Sequence, residues 1–173
     1  MFSHYDLIPT FCAAAGEPDI VAKCLTGYEA GSKTFKVHLD GFNLMPFFRG
    51  EVMDSPRREF LYWNDDGELV AIRVQDWKVN FKIQEHTGIG VWQREFTSLR
   101  VPWIINIRAD PFERGPESFE YDRWMAERAF ILVPSQPLVA KWLESFREFP
   151  IRQKPASFNL DEVMDKLSTG GKQ

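Results

Sequence analysis

Residues 77–83 read WKVNFKI, and this heptapeptide constrains the fold more than any other stretch. Trp77, Val79, Phe81 and Ile83 alternate with Lys78, Asn80 and Lys82. Side chains on a strand point to opposite faces in turn, so this spacing writes one apolar face and one polar face. Such a strand belongs to an antiparallel sheet with one face buried and the other wet. Lys78 is therefore expected to face solvent and Trp77 to enter the core.

The neighbouring text extends the sheet. In RREFLYWNDDGELVAIRVQDWKVNFKI, the NDDG and QD steps are turn signals between runs rich in aromatic and β-branched residues. HTGIG turns the chain again, residues 91–96 read as a weaker strand, and WIINIRADP reads as an apolar strand stopped near Pro111. After Gly115 the period becomes helical. Tyr121, Trp124, Met125, Arg128 and Ala129 share a side, VPSQP interrupts, and Leu138, Trp142, Ser145, Phe146 and Phe149 mark a second stripe. PIRQKPAS is a Pro-rich connector. Asn159 and Glu162 then resemble a capping box for a last helix carrying Leu160, Val163, Met164 and Leu167, and STGGKQ is expected to fray.

The first fifty residues are different in kind. Residues 4–15 read as a helix capped by Ser3 with Asp6 three positions on, and with a kink or restart near Pro9. GEPDIVAKCLTG is a second short helix ended by Gly27. SKTFKVHLDG holds at most a short extended piece, and NLMPFFRG a helical turn closed by Gly50. The expected fold is α+β: a small antiparallel sheet of about four strands packed against a long helix, preceded by short helices. The division is 1–50, a helical and loop segment that packs only loosely on the sheet unit, and 51–173, the α+β unit.

Chemistry is hard to find. The chain is 173 residues with a formal charge of −4 and no basic stripe, which argues against a nucleic-acid partner. No run approaches the ~18 apolar residues of a membrane span. The opening text has no basic region followed by a long apolar one, so no secretory leader is expected on it. His4 with Asp6, His38 with Asp40 and Glu85 with His86 are the metal candidates. The first pair splits between helix faces, and the second could share a strand face. Cys12 and Cys24 lie in apolar text and read as two buried free thiols, with one disulfide as the alternative. There is no G-x-S-x-G and no H-E-x-x-H. Asp65 and Asp66 serve a turn, and GIG at 88–90 is too short for a dinucleotide loop. Fifteen Phe and six Trp need packing or a cover. Trp63, Trp77 and Trp103 read as core, and Trp92 as the exposed ring. No catalytic, cofactor-binding or metal residue is assigned.

Four stretches, taken in order, resemble the sulfatase family, bacterial arylsulfatases above all. FSHYDLIPTFCAAAGEPD is similar to the family's S-H-x-D-x-x-P-T segment, and KTFKVHLDGFNLMPFFRGE to its D-G-x-N-L-x-P stretch. RREFLYWNDDGELVAIRVQDWKVNF resembles the strand, turn, A-I-R and W-K portion, and NIRADPFERG the N-L-x-x-D-P-x-E portion. The ending FPIRQKPASFNLDEV is of the same type. The resemblance implies that this text corresponds to the final third of such an enzyme. In relatives the nucleophile is a formylglycine made from a C-x-P-x-R or S-x-P-x-R motif, and a calcium ion is held by Asp and Asn; both lie upstream of the matching text. Cys12 and Cys24 are followed by AAAG and LTGY, so neither fits that motif.

The resemblance also implies roles for single residues. Asp40 and Asn43 close a turn, Asp110 and Glu113 set the turn before the long helix, and 86–92 rims a substrate mouth. It implies a chain without catalysis of its own that supports a catalytic domain, from a family often periplasmic or secreted. An apolar surface is then expected on helix 4–15 and on NLMPFF, covered by self-association or by an upstream catalytic half. The competing readings are a stand-alone binding or structural module that associates through an apolar face, and an enzyme built on His4, His38 or His86.

Overall fold

The computed structural model describes residues 1–151 and Met164. The Pro-rich connector, the Asn159/Glu162 cap and the last helix lie outside the described residues. A four-stranded antiparallel meander forms the centre, in the order β3–β4–β5–β6. Its strands are β3 (Glu59–Trp63), β4 (Leu69–Val74), β5 (Trp77–Ile83) and β6 (Thr97–Asn106). Ahead of it come α1 (Leu7–Ala14), α2 (Ile20–Thr26), the hairpin β1 (Tyr28–Ala30) and β2 (Lys33–Phe35), and α3 (Met45–Phe48). Between β5 and β6 lies α4 (Gly90–Gln93), and after β6 come α5 (Tyr121–Ala126) and α6 (Leu132–Glu148). The α+β class with a long helix on the sheet is as the sequence reads.

The first two turns of the meander, β3–β4 and β4–β5, are built by local chemistry. Asn64 Oδ1 accepts from Glu68 N at 2.8 Å and Gly67 takes φ 74°, so NDDG folds back on itself. The two-residue Gln75–Asp76 loop forces Gln75 to φ 52°, unusual for a residue with a side chain. In register, Leu61 lies opposite Ile72, Ile72 opposite Val79, and Val79 opposite Ile104. That row is the floor of the core, and α6 lies across it through Leu138, Val139 and Trp142.

Several expectations need correction. The second face of β5 is not wet: Asn80 is buried, and Lys78 is held by both carboxylate oxygens of Glu113 at 2.7 and 2.8 Å with the Tyr62 ring beneath it. Two polar residues of this face are in ion pairs, Lys78 with Glu113 and Lys82 with Glu68. Residues 91–96 do not form a strand. The chain makes the helical turn α4, and the extended run of β6 starts at Thr97. VPSQP does not interrupt a helix either, since α6 runs through it. Pro134 sits in the first turn, where its missing N–H costs nothing, and only Pro137 is interior. The true break is at 127–131, where a 3-10 turn links α5 to α6. The loop-like 28–40 holds a hairpin, with Tyr28 opposite Phe35.

Candidate functional site

Asp6 begins as a local residue. Its Oδ2 accepts from Ser3 N at 2.9 Å and completes a capping box with Ser3. The restart expected near Pro9 comes earlier, where a 3-10 turn (His4–Asp6) gives way to α1. Pro9 lies in the first turn of α1 and leaves that helix unbroken. The helix side carrying Asp6, Pro9 and Thr10 turns inward.

What meets that side is the loop 38–44 and Arg57. Arg57 donates through Nε to Asp6 Oδ2 at 2.7 Å and through Nη2 to Oδ1 at 2.6 Å. Both side chains have no solvent exposure. Asp6 Oδ1 also accepts from Phe42 N at 2.8 Å. Arg57 reaches further, to Asp40 O at 2.9 Å and Glu59 O at 3.1 Å, with the rings of Phe42 and Tyr5 at 4.9 and 5.8 Å from its guanidinium carbon. A planar, five-donor fork suits such a site, and a lysine could not span these acceptors. Thr10 adds a second lashing: its hydroxyl donates to Phe42 O and accepts from Leu44 N. Gly41 passes so close that a Cβ there would lie 1.9 Å from Tyr5 O. The first fifty residues, expected to pack loosely, are therefore pinned to the sheet unit at this node.

Burial alone would push the Asp6 carboxyl up. The Arg57 hydrogen bonds and the backbone N–H groups of Phe42 and Ser3 outweigh it and hold the carboxyl below its usual range. Tyr5 goes the other way: burial and the Asp40 charge raise its phenol against the pull of Arg57. Each Asp6 oxygen accepts two hydrogen bonds, Oδ1 from Arg57 and Phe42 and Oδ2 from Arg57 and Ser3, and neither charged side chain is exposed, so the node fixes geometry.

On the outer side of the same loop, His38 Nδ1 lies 2.9 Å from Asp40 Oδ1. Each side chain is about one-third exposed. They open on a cleft of about 540 Å³ between α2, residues 38–43 and α6, walled by Leu25, Phe42 and Trp142 and edged by Lys141. A carboxylate-oriented imidazole is the start of general-base chemistry. The Ser145 hydroxyl that lines the same cleft donates to Trp142 O at 2.7 Å.

The other candidates stay apart. His4 is exposed while Asp6 is buried, and His86 lies in an exposed turn. Cys12 and Cys24 are both free, and burial raises the Cys24 thiol. Among the described residues, no group of three or more His, Cys, Asp or Glu could hold a metal ion. Asn43 does close a turn, its Oδ1 accepting from Met45 N at 2.9 Å, while Asp40 reaches across to His38. Asp110 accepts from Gly115 N at 2.6 Å, but Glu113 spans to β5 through Lys78. Trp92 is 75% exposed, as its place after the turn predicts.

Sequence reasoning missed Arg57. It stands in SPRREF as one of two adjacent arginines. A usable signal was the capping Asp6, whose second oxygen needs donors once the helix side is buried. No protein-family model matches the chain, and no curated protein matches it in sequence.

Proposed function

We propose that this chain corresponds to the C-terminal part of an arylsulfatase-like sulfate ester hydrolase and acts as a non-catalytic support for the catalytic part. The observation that carries the reading is where its motif residues go. Asp6 of the S-H-x-D segment and the Asp40–Phe42 stretch of the L-D-G-x-N segment, set apart in sequence, meet at the closed node on Arg57. They serve as framework, as the supporting role requires. In this reading the calcium and the formylglycine of relatives belong to the catalytic part.

A second support is the outer side of α1. Ile8 is 58% exposed and Phe11 65%, one helical turn apart and opposite the buried Pro9 and Thr10. Phe2 and Phe48, also exposed, touch each other with ring centroids 6.2 Å apart. Apolar groups gathered in this way mark a covered surface. The occupant in this reading is the α/β catalytic part of such an enzyme.

The test uses 4-nitrophenyl sulfate with calcium. The chain alone should give no turnover. Mixed with a separately produced arylsulfatase-type catalytic part carrying C-x-P-x-R, it should form a complex that Phe11→Glu abolishes. Calcium-dependent hydrolysis by the chain alone would overturn the reading, as would failure to associate. Self-association lost on Phe11→Glu would instead favour a stand-alone module.

A further inference from the structure

α6 covers the sheet with Leu138, Val139 and Trp142. The same helix face continues toward its start to Ser135, which stands three residues before Leu138 and four before Val139. A serine in that row is too small to fill the space above the sheet. It is buried, and its hydroxyl donates back to Leu132 O at 2.6 Å, so the donor is spent within the helix. What remains between the start of α6 and the sheet is a pocket of about 220 Å³. Ile72 and Val79, both buried in the core, form its base, and Trp77, Ile131 and Leu138 wall it. Gln75, Phe130 and Pro134 line it and are exposed, so they mark its open side. Among the described residues, none that lines it is charged.

We propose that this pocket is a binding site for one small, neutral aromatic molecule, a single ring of the size of benzene or toluene. Charge decides against ionised ligands: a carboxylate or ammonium group placed here would leave water without a partner of opposite sign. Volume sets the size, since a dry apolar cavity of about 150 Å³ already takes a benzene ring. The lining sets the shape. Trp77 and Phe130 offer rings to an aromatic guest, and Ile72, Val79 and Leu138 offer close aliphatic contact. The bound ring takes the place of the larger side chain that position 135 lacks, and so bridges α6 to β4 and β5.

The experiment titrates the full chain with toluene and, separately, with benzoate, and reads methyl-resolved NMR shifts and Tm. Toluene should give saturable shifts centred on Ile72, Val79, Ile131 and Leu138. At about ten times its Kd it should raise Tm by about 3–6 °C. Benzoate, the same ring carrying a carboxylate, should bind at least about tenfold more weakly. Ser135→Leu puts a side chain into the pocket. It should raise the Tm of the ligand-free chain by about 2–6 °C and abolish the toluene shifts. The absence of saturable toluene shifts, shifts centred elsewhere, equal binding of benzoate, or toluene shifts retained in Ser135→Leu would overturn the proposal. The comparison of toluene with benzoate on the unmutated chain decides it even where Ser135→Leu fails to fold.

Discussion

The sheet is closed in two places by opposite kinds of bonding. Under α6 the contact is apolar: Leu61, Ile72 and Val79 meet Leu138, Val139 and Trp142. At the β3 edge it is ionic and directional. Arg57 donates to Glu59 O, and the Tyr5 hydroxyl donates to Leu61 O at 3.5 Å, so side chains from outside the sheet occupy carbonyls of the edge strand. The apolar contact tolerates any shape that fills the space. The ionic one tolerates almost nothing, because Arg57 must reach Asp6, Asp40 O and Glu59 O together from a site with no solvent exposure. The comparison teaches where specificity resides: α6 gives the sheet its cover, and the node fixes how the first fifty residues sit on it.

Removing one side of the node should be the most damaging change. Arg57→Ala leaves a buried carboxylate without its counter-ion, and unfolding in urea should show a loss of about 3–5 kcal/mol. An isolated buried pair can often be replaced by apolar residues at little cost. Here the double variant Asp6→Leu with Arg57→Met should not recover, because Ser3 N, Phe42 N, Asp40 O and Glu59 O would all lose partners. Recovery to within about 1 kcal/mol would erase the contrast and reduce the node to a filled space.

The same node sets an acid response. The Asp6 carboxyl is held below its unfolded value, so the unfolded chain binds more protons as pH falls. The stability it supplies is complete above about pH 4, the ordinary carboxyl range, and is lost as pH falls through the lower folded value. Asp6→Asn should flatten the fall in urea midpoint between about pH 4 and pH 2.5 while lowering stability at pH 7.

On the apolar side, Ile72→Ala should cost about 2–4 kcal/mol, with no dependence on pH over that acid window. A pH-dependent loss would mean that the two closures are coupled through β4 and are not separate.

These two closures were unequally legible in the sequence. The apolar one is written in periods: alternation in WKVNFKI places Val79 inward, and the 3.6-residue stripe gives Leu138, Trp142 and Phe146. Periodicity failed at Asn80, which is buried, and at Lys78, which pairs with Glu113, because a polar letter reads as solvent-facing whatever surrounds it. It failed at VPSQP because both prolines read as breakers, although Pro134 lies in the first turn, where it is tolerated, and α6 runs on through the interior Pro137. It could not reach Arg57, whose partners lie 51 residues upstream at Asp6 and 17 upstream at Asp40. Of the His–Asp pairs, His38 and Asp40 were legible as neighbours. Their opening on a cleft formed by α2 and α6 was not, since that requires the tertiary fold.

Tyr121 tests a smaller instance of directional bonding at the far edge. Its hydroxyl donates to Ile104 O and accepts from Ile104 N, each at 3.0 Å, and so occupies both outward backbone groups of one residue in β6. Tyr121→Phe keeps the ring and should cost about 1–3 kcal/mol by leaving that N–H and C=O buried without partners. Such a loss would place the far edge with the node. A loss under about 0.5 kcal/mol would mean that water replaces the hydroxyl there, and that only the node depends on direction.

The smallest effect separates strain that serves a contact from strain that does not. Among the described residues, Gln75 and Glu113 are the non-glycine residues at positive φ, 52° and 56°. Glu113 spends its side chain on Lys78, whereas the contacts of Gln75 use its backbone: its N–H donates to Arg58 O and its carbonyl accepts from Arg73 Nε. Glycine at 75 keeps both contacts and relieves the left-handed cost, so Gln75→Gly should stabilise the chain by about 0.5–1 kcal/mol. Glycine at 113 relieves the same strain but unpairs a Lys78 whose side chain is only 14% exposed, and should be neutral to destabilising. Equal gains from both would show that the Lys78–Glu113 bridge adds nothing to the second face of the sheet. A gain at 75 alone would place that bridge with the node, as directional bonding that the fold retains at the expense of backbone strain.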